Sequence, residues 1–298
     1  MQNKLKLLNL NSQAALLIIL ATVFIAGTMI LAKSLGQDWL GQGLHPFQIS
    51  AGRFSFAWMA LAIIFYFKKT KIKSPNLRLH ALRSILGWCG VTLMFAAASL
   101  IPLSDATAIS FLNPVFAMLF AILFLKETIG KYRWLAAILA LIGAFVLLRP
   151  SIASFQFAGL LALFAAILMG AELICMKIIT KTENSFQILI INNSIGFIVS
   201  ITAAYFFWQQ PTFHQWIALV SIGLLMICAQ ACYITAIAIA DASYVAPFSY
   251  MTLIFVTFYD FILFNQLPDH ISLIGIILIL ISAITLAWRE KINLKTKI

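Results

Sequence analysis

The stretch "HPFQISAGRFSF" (45–56) returns in altered form as "NSFQILIINNSI" (184–195), and this repetition decides the fold. The Phe-Gln-Ile triplet of the first stretch lies 139 residues before its copy in the second. At the same offset, Arg53 corresponds to Asn192. The two stretches therefore predict a scaffold that is used twice and that carries a different polar side chain in each copy.

The composition places this scaffold in a lipid bilayer. The chain of 298 residues is 63% hydrophobic and 10% charged, whereas soluble domains are about half apolar and about a quarter charged. A helix that crosses a bilayer needs about 20 apolar residues, and the strands of a membrane barrel would alternate in polarity, which is not seen. The sequence predicts an all-α integral membrane protein with ten transmembrane helices. The apolar runs begin near Gln13, Pro46, His80, Ser104, Tyr132, Phe155, Ser185, Phe213, Ser243 and His270.

The net charge of +11 reflects orientation in the membrane and not a nucleic-acid partner. With a cytoplasmic N-terminus, the 20 Lys and Arg residues all fall in cytoplasmic segments except Lys33, Arg149 and the intramembrane Arg53. Membrane proteins concentrate positive charge on the cytoplasmic side in this way. The sequence thus predicts a protein of the bacterial inner membrane with both termini in the cytoplasm.

The repeat extends beyond the opening motif, because Phe111 corresponds to Tyr250 at the same offset. The chain divides into two halves, 1–150 and 151–298, with five predicted spans each. An odd number of spans makes the two halves insert upside down relative to one another. Inverted repeats are typical of secondary transporters, which bind substrate near the middle of the membrane between the halves. A chance similarity between two apolar sequences is the alternative.

Two longer stretches resemble a known family. They are "ALRSILGWCGVTLMFAAASLIPLSDATAISFLNPVFAMLFAILFLKETIGKYRWLAAILALIGAFVLLRP" (81–150) and "ADASYVAPFSYMTLIFVTFYDFILFNQLP" (240–268). Both are similar to the EamA-type carriers of the drug/metabolite transporter superfamily. The resemblance implies ten helices in two inverted five-helix repeats, a central cavity and no bound cofactor. The family usually places an acid at the position of Gln266, as this chain does at Glu127, so a capping or gate contact is expected to be lost there.

Arg53 is the first candidate for substrate binding. It lies seven residues after Pro46, which is about 10 Å along a helix at 1.5 Å per residue. One interpretation is that its long side chain snorkels to lipid head groups. The other is that it faces the cavity and binds a carboxylate or phosphate through its planar fork. Asn192 and its neighbour Asn193 lie at a similar depth from the opposite surface, so they are candidates for the inner end of the pathway.

Glu172 is the candidate for energy coupling. An ionisable side chain inside a span is expected to be functional, and a buried carboxyl without a partner favours its protonated form. Glu172 is therefore predicted to carry a coupling proton. The alternative is a fixed structural ion pair with Arg53, Lys33 or Lys177.

Further candidates come from a helix break and from aromatic side chains. Asn113 precedes a proline in the fourth run, and such broken helices often line transporter cavities. Trp88, Tyr233 and Tyr250 are candidates for stacking on a flat substrate, although packing is the common role of aromatics in an apolar chain. Gln230 is a candidate for a substrate hydrogen bond or for a bond between helices.

The remaining classes of membrane protein fit less well. The sequence has no catalytic motif of a hydrolase or metalloprotease and no nucleotide-binding loop, so neither an enzyme nor a primary pump is predicted. No cofactor or metal is expected. The sequence predicts a secondary transporter of a small organic metabolite, such as an amino acid, S-adenosylmethionine or riboflavin, that works by alternating access. A channel-like or structural membrane protein is the alternative, and a homodimer is left open.

Overall fold

The computed structural model describes residues 2–36, 39–68, 75–98, 109–149, 157–264 and 269–296. Within these residues the secondary structure is helical and contains no strand, so the all-α prediction is confirmed. Two short 3₁₀ turns, Tyr205–Phe207 and Ala246–Tyr250, supplement the α-helices. The α-helices are α1 (Gln2–Gly36), α2 (Pro46–Lys68), α3 (Leu77–Ala98), α4 (Asn113–Leu125), α5 (Lys131–Leu148), α6 (Phe157–Ile179), α7 (Ser185–Ala204), α8 (Phe213–Ile239), α9 (Ala242–Val245), α10 (Met251–Phe264) and α11 (His270–Thr296).

Four of the predicted starts, Pro46, Ser185, Phe213 and His270, are the first residues of helices. Within the described ranges, six helical segments are long and apolar enough to cross a membrane. They are Leu10–Gly36, Pro46–Phe67, Gly159–Ile179, Ser185–Phe207, Phe213–Ile239 and Ala242–Leu263. Two shorter apolar segments, Asn113–Leu125 and Leu273–Leu286, accompany them. The chain is thus an integral membrane protein of many helices, and the count of ten spans stays a prediction.

Helices from the two predicted halves pack against each other throughout the bundle. The main contacts pair α3 with α6, α1 with α8, α5 with α11 and α2 with α7. Polar contacts mark the two ends of this bundle. At one end, the side chain of Gln48 bonds the backbone of Gln209 in both directions, at 2.5 and 3.1 Å. At the other end, Arg133 reaches Asp241 at 3.0 Å.

The predicted helix break after Asn113 is present, and a second proline interrupts a helix in the other half of the chain. Helix α4 begins at Asn113 with Pro114 in its first turn, immediately after a non-helical turn. In the second half, Pro247 opens the 3₁₀ segment that separates α9 from α10. A proline has no N–H to donate and its ring crowds the preceding turn, so a regular helix cannot continue through it.

Small residues let the helices approach closely. The Cβ atom of an alanine at Gly223 on α8 would lie 2.6 Å from Cβ of Phe56, 3.0 Å from the backbone nitrogen of Ala57 and 3.1 Å from the carbonyl oxygen of Arg53. Close backbone approach of this kind is how helices associate where the solvent is as apolar as the side chains. Gly223 therefore fixes the distance between α8 and the turn of α2 that carries Arg53.

Gly223→Ala is expected to destabilise the protein by about 1–3 kcal/mol, because the obstructing atoms belong to backbone and cannot move alone. Thermal unfolding in detergent measures the change. Gly130→Ala is the matched control, since an added Cβ there meets nothing within 4 Å. Equal melting temperatures for the two variants would show that α2 and α8 do not depend on this contact.

Candidate functional site

A buried ion pair joins the two predicted halves inside the bundle. Arg83 on α3 donates from Nε to Oε1 of Glu172 on α6 at 3.2 Å. The side chain of Arg83 is 5% exposed and that of Glu172 is 29% exposed. Nη1 of Arg83 is buried and has no hydrogen-bond partner. The ion pair therefore leaves Nη1 of the Arg83 guanidinium without a hydrogen-bond acceptor.

The surroundings of Glu172 explain how a carboxyl group fits between two helices. A Cβ at Gly87, one turn beyond Arg83 on α3, would lie 3.3 Å from the carboxyl carbon of Glu172. Glycine at this position provides the room that the carboxylate occupies. The hydroxyl of Tyr233 on α8 lies within electrostatic range of both Glu172 and Arg83. Three helices thus bring polar groups to one place.

Arg53 on α2 is the second intramembrane cation of this cluster. Its Nε atom is buried without a hydrogen-bond partner. Its guanidinium carbon lies 4.3 Å from the centre of the Phe54 ring, and Glu172 is the carboxylate within its electrostatic range. No salt bridge to Arg53 is recorded in the described part of the chain. Arg53 is therefore a partly buried cation whose Nε donor has no partner among the described residues.

Asn193, one of the two asparagines predicted for the inner end of the pathway, connects α7 to α8. Nδ2 of Asn193 donates to Oε1 of Gln230 at 2.8 Å and to the carbonyl oxygen of Leu189 at 2.9 Å. Asn192 faces α3, where Oγ of Ser84 lies 3.5 Å from its Oδ1. The bond between Asn193 and Gln230 matches the alternative in which Gln230 connects helices.

The structure does not bring the other predicted residues to this cluster. Trp88 is 42% exposed and lines an apolar groove at the bundle surface with residues 198–206 of the α7 region. Tyr250 is fully buried, and its hydroxyl donates to the carbonyl oxygen of Phe111 at 2.6 Å. Asn113 lies at the start of α4, where its carbonyl oxygen approaches Gly170 of α6. Tyr250 has both ring and hydroxyl occupied by the protein, so we do not include it in the site.

The acid at Glu127 holds the start of α9. Its two carboxylate oxygens accept from the backbone nitrogens of Ala242 and Ser243, both at 3.1 Å. A carboxylate is favourable at a helix N-terminus, where backbone N–H groups are free. Glu127 therefore has the capping role expected of this family position. Its counterpart Gln266 lies outside the described residues.

A second group of contacts ties the halves together at the same end of the bundle. Glu183, between α6 and α7, accepts from the backbone nitrogen of Asn76 at 3.0 Å and from Nε2 of Gln187 at 2.6 Å, and it lies 2.9 Å from Nε2 of His80. Burial favours a higher pKa for the Glu183 carboxyl, but the bonds from His80, Asn76 and Gln187 outweigh it, and the pKa lies below its ordinary value. We call these four residues the Glu183 latch.

The lowered pKa of Glu183 predicts a pH-dependent contribution to stability. An ionised Glu183 stabilises the fold above the ordinary carboxyl range, and the contribution is lost as pH falls through the lower pKa of the folded protein. Glu183→Gln is therefore expected to lower the melting temperature in detergent at pH 7 and to differ less from the wild type in acid. A difference that is constant across this pH range would contradict the ionised latch.

Arg83 is the residue of this site that the sequence analysis missed. It was counted with the basic loop that ends at the third predicted span. The signal was present, because that span was predicted to start at His80 and therefore already contained Arg83. In the structure the ion-pair partner of Glu172 is Arg83, and not Arg53, Lys33 or Lys177, the partners that the sequence analysis considers. Lys177 instead donates to the carbonyl oxygens of Ile237 and Ala240 near the end of α8.

Apolar helices of this protein enclose both paired charges and charged groups that lack a hydrogen-bond partner. This combination is typical of membrane transport proteins. The chain belongs to the EamA-like transporter family, whose model matches residues 12–149 and again residues 156–288. The resemblance to the EamA-type carriers is thus confirmed.

The relatives agree with this family. The chain is 29% identical over 269 residues to the S-adenosylmethionine uptake transporter of Rickettsia bellii (strain RML369-C), covering 90% of this chain and 92% of that protein. It is 26% identical over 241 residues to the riboflavin transporter of Vibrio cholerae serotype O1 (strain ATCC 39315 / El Tor Inaba N16961), covering 78% and 81%. A solved crystal structure superposes with a TM-score of 0.79 at 19% identity, covering 93% of this chain and 98% of that one, which shows the fold alone.

Proposed function

We propose that this protein is a secondary transporter that moves a small organic metabolite across the bacterial inner membrane by alternating access, with S-adenosylmethionine as the first candidate substrate. The observation that carries this proposal is the cluster of Arg53, Arg83 and Glu172 inside an apolar bundle. Charges inside a membrane are costly and mark substrate or ion pathways. The candidate substrate comes from the relative that is named an S-adenosylmethionine uptake transporter.

The proposed architecture is two inverted five-helix repeats, 1–150 and 151–298. The family model matches the chain twice, once in each half. The packing is also symmetric, since α3 meets α6 as α8 meets α1, and α4 meets α6 as α10 meets α1. These regularities support a two-fold axis that relates the halves.

Repeat counterparts that touch each other add support for this axis. Phe111 and Tyr250 are 139 residues apart, and their rings stack with centroids at 5.6 Å. Trp58 and Phe197 have the same spacing, and their rings stack at 5.0 Å. Equivalent residues of two repeats contact each other only near the axis that exchanges them. The substrate pathway is proposed to lie between the halves around this axis.

The proposed substrate site contains Arg53, Asn192, Asn193, Gln230 and Tyr233, with Glu172 as the coupling group. Arg53 approaches from the end of the bundle at which α2 begins, and Glu172 lies seven residues from the opposite end of α6. Each is about 10 Å from its own end at 1.5 Å per residue. A substrate that moves between them crosses the middle of the membrane.

The orientation of the chain is a separate proposal with its own prediction. Both termini are expected in the cytoplasm because the basic segments gather on that side. Reporter domains that are active in one compartment only, fused in turn to the C-terminus and to the 205–212 connection, should give opposite signals. A C-terminal reporter that is active outside the cytoplasm would overturn the proposed orientation.

Uptake into proteoliposomes tests the function directly. Labelled S-adenosylmethionine should accumulate against its own gradient when a proton gradient is imposed, and unlabelled substrate should exchange with it when no gradient is present. Equilibration without accumulation would favour the channel-like alternative instead. Riboflavin is the second substrate to test, because another relative is named a riboflavin transporter.

A further inference from the structure

The charges of the site do not balance. Arg83 is a buried cation and Arg53 is a partly buried one. Glu172 pairs with Arg83 and is the described carboxylate within electrostatic range of Arg53. One positive charge is therefore left over in the part of the cluster that the structure describes. An uncompensated charge in a region of low polarity is unfavourable, so a ligand that supplies one negative charge would stabilise the cluster.

The unsatisfied donors lie on the same two side chains as the excess charge. The buried side-chain atoms without a hydrogen-bond partner in the described residues are Nε of Arg53, Nη1 of Arg83 and Nδ1 of His80. Two of these three atoms are guanidinium nitrogens of the site. Buried donors are rarely left without acceptors, so each of these two atoms marks a place where an acceptor group can bind.

The hydrogen bonds of Arg83 show which of its guanidinium nitrogens lacks an acceptor. Glu172 accepts from Nε, and Nη1 is left without an acceptor in the described residues. Hydrogen bonds between a guanidinium and a carboxylate are among the strong ones because both groups are charged. Arg83 can therefore keep Glu172 on Nε while Nη1 donates to a second carboxylate.

We infer that Arg83 is a substrate-binding residue and that the transported metabolite carries a carboxylate group, which accepts from Nη1 of Arg83 and offsets the excess positive charge of Arg53, Arg83 and Glu172. This inference rests on the proposed transport function. It adds the chemical class of the substrate and a binding residue at the end of the bundle opposite Arg53. A phosphate monoester fits the charge less well, because it brings nearly two negative charges at neutral pH.

Glu172 lowers the net positive charge of this site. It neutralises one of the two arginines, so that a single carboxylate completes the charge balance. Its neighbours also include Cys175 on its own helix and Tyr233 on α8, both within electrostatic range. Helices α4 and α7, which carry no ionisable residue, add no further charge. Among the residues that the structure describes, the charge balance of the site is thus set by Arg53, Arg83 and Glu172.

Ligand binding to the purified protein tests the inference, measured as a rise in melting temperature in detergent. The ligands are S-adenosylmethionine and its decarboxylated analogue, together with methionine and its methyl ester. A ligand that binds only the folded state raises its melting temperature. The carboxylate form of at least one pair should bind about 30-fold or more tightly than its partner without the carboxylate, since an unpaired buried charge costs that much or more.

Charge-matched variants separate a contact with Arg83 from a structural role. Arg83→Gln alone strands Glu172 and can fail to fold, so the double variant Arg83→Gln/Glu172→Gln is the decisive protein, because it removes the ion pair and keeps the net charge. It should fold and lose the preference for the carboxylate, whereas Glu172→Gln should keep or increase that preference. Arg78→Gln, on the exposed first turn of α3, is the control and should bind like the wild type.

The outcomes distinguish the inference from the function on which it rests. A folded double variant that still prefers the carboxylate would show that Arg83 only supports Glu172, and the inference would fail. Equal binding within both ligand pairs, with transport intact, would also overturn it and leave the transporter standing. Arg83-dependent binding of methionine without any S-adenosylmethionine transport would support the inference and remove that candidate substrate.

Discussion

Arg53→Ala is expected to reduce transport by about 30-fold or more, because the loss of one member of a buried charge-assisted contact costs about 2–5 kcal/mol. Arg53 is a partly buried cation whose Nε donor has no partner among the residues that the structure describes. Its guanidinium is held over the ring of Phe54, so its position is fixed before a ligand arrives. The interaction of Arg53 with the substrate can therefore contribute directly to the free energy of binding.

Arg53→Lys is expected to retain part of the activity, since lysine keeps the charge and loses the planar fork. Uptake into proteoliposomes, normalised to the amount of inserted protein, gives the comparison. Arg78→Ala is the matched control, because Arg78 is an exposed arginine at the start of α3. Normal uptake by Arg53→Ala would identify Arg53 as a residue that only reaches toward lipid head groups.

Glu172→Gln is expected to abolish accumulation driven by a proton gradient while substrate exchange continues. Exchange needs no net movement of protons, and glutamine resembles the protonated carboxyl in shape. The variant also leaves Arg83 without its carboxylate, and breaking a buried ion pair costs about 3–5 kcal/mol. The yield of folded protein must therefore be measured with the two transport assays.

The double variant Arg83→Gln/Glu172→Gln distinguishes the loss of proton coupling from the loss of folded protein, the two effects expected of Glu172→Gln. If the single variant is poorly folded and the double variant folds well, the stranded arginine explains the loss of yield. Accumulation by Glu172→Gln on a proton gradient, at the wild-type rate per folded molecule, would remove Glu172 from the coupling mechanism.

The large-scale features of the protein were predictable because the bilayer imposes simple rules on the sequence. Apolar length fixes which segments are helices, and the helix starts at Pro46 and Ser185 follow directly from it. The break at Pro114 was predictable because a proline in a helix interior lacks an N–H donor and crowds the preceding turn. These features depend on residues that are close in sequence.

The partners of the polar side chains were harder to predict. Arg83 and Glu172 are 89 residues apart, and neither sequence neighbourhood indicates the other. Tyr250 was a candidate for stacking on substrate, yet its hydroxyl is used by Phe111, which lies 139 residues away. The carboxylate of Glu183 likewise finds His80 across 103 residues.

The sequence by itself determined the membrane environment, the helical class and the family, because hydropathy and sequence motifs are properties of the chain alone. Only the tertiary structure decided that Arg83 is the partner of Glu172, that Nη1 of its guanidinium has no acceptor among the described residues, and that Tyr250 is enclosed by protein. The reason is physical. Burial and hydrogen bonding depend on which helices meet and on how each is rotated about its axis, and small residues such as Gly87 and Gly223 set those contacts at distances of a few ångströms.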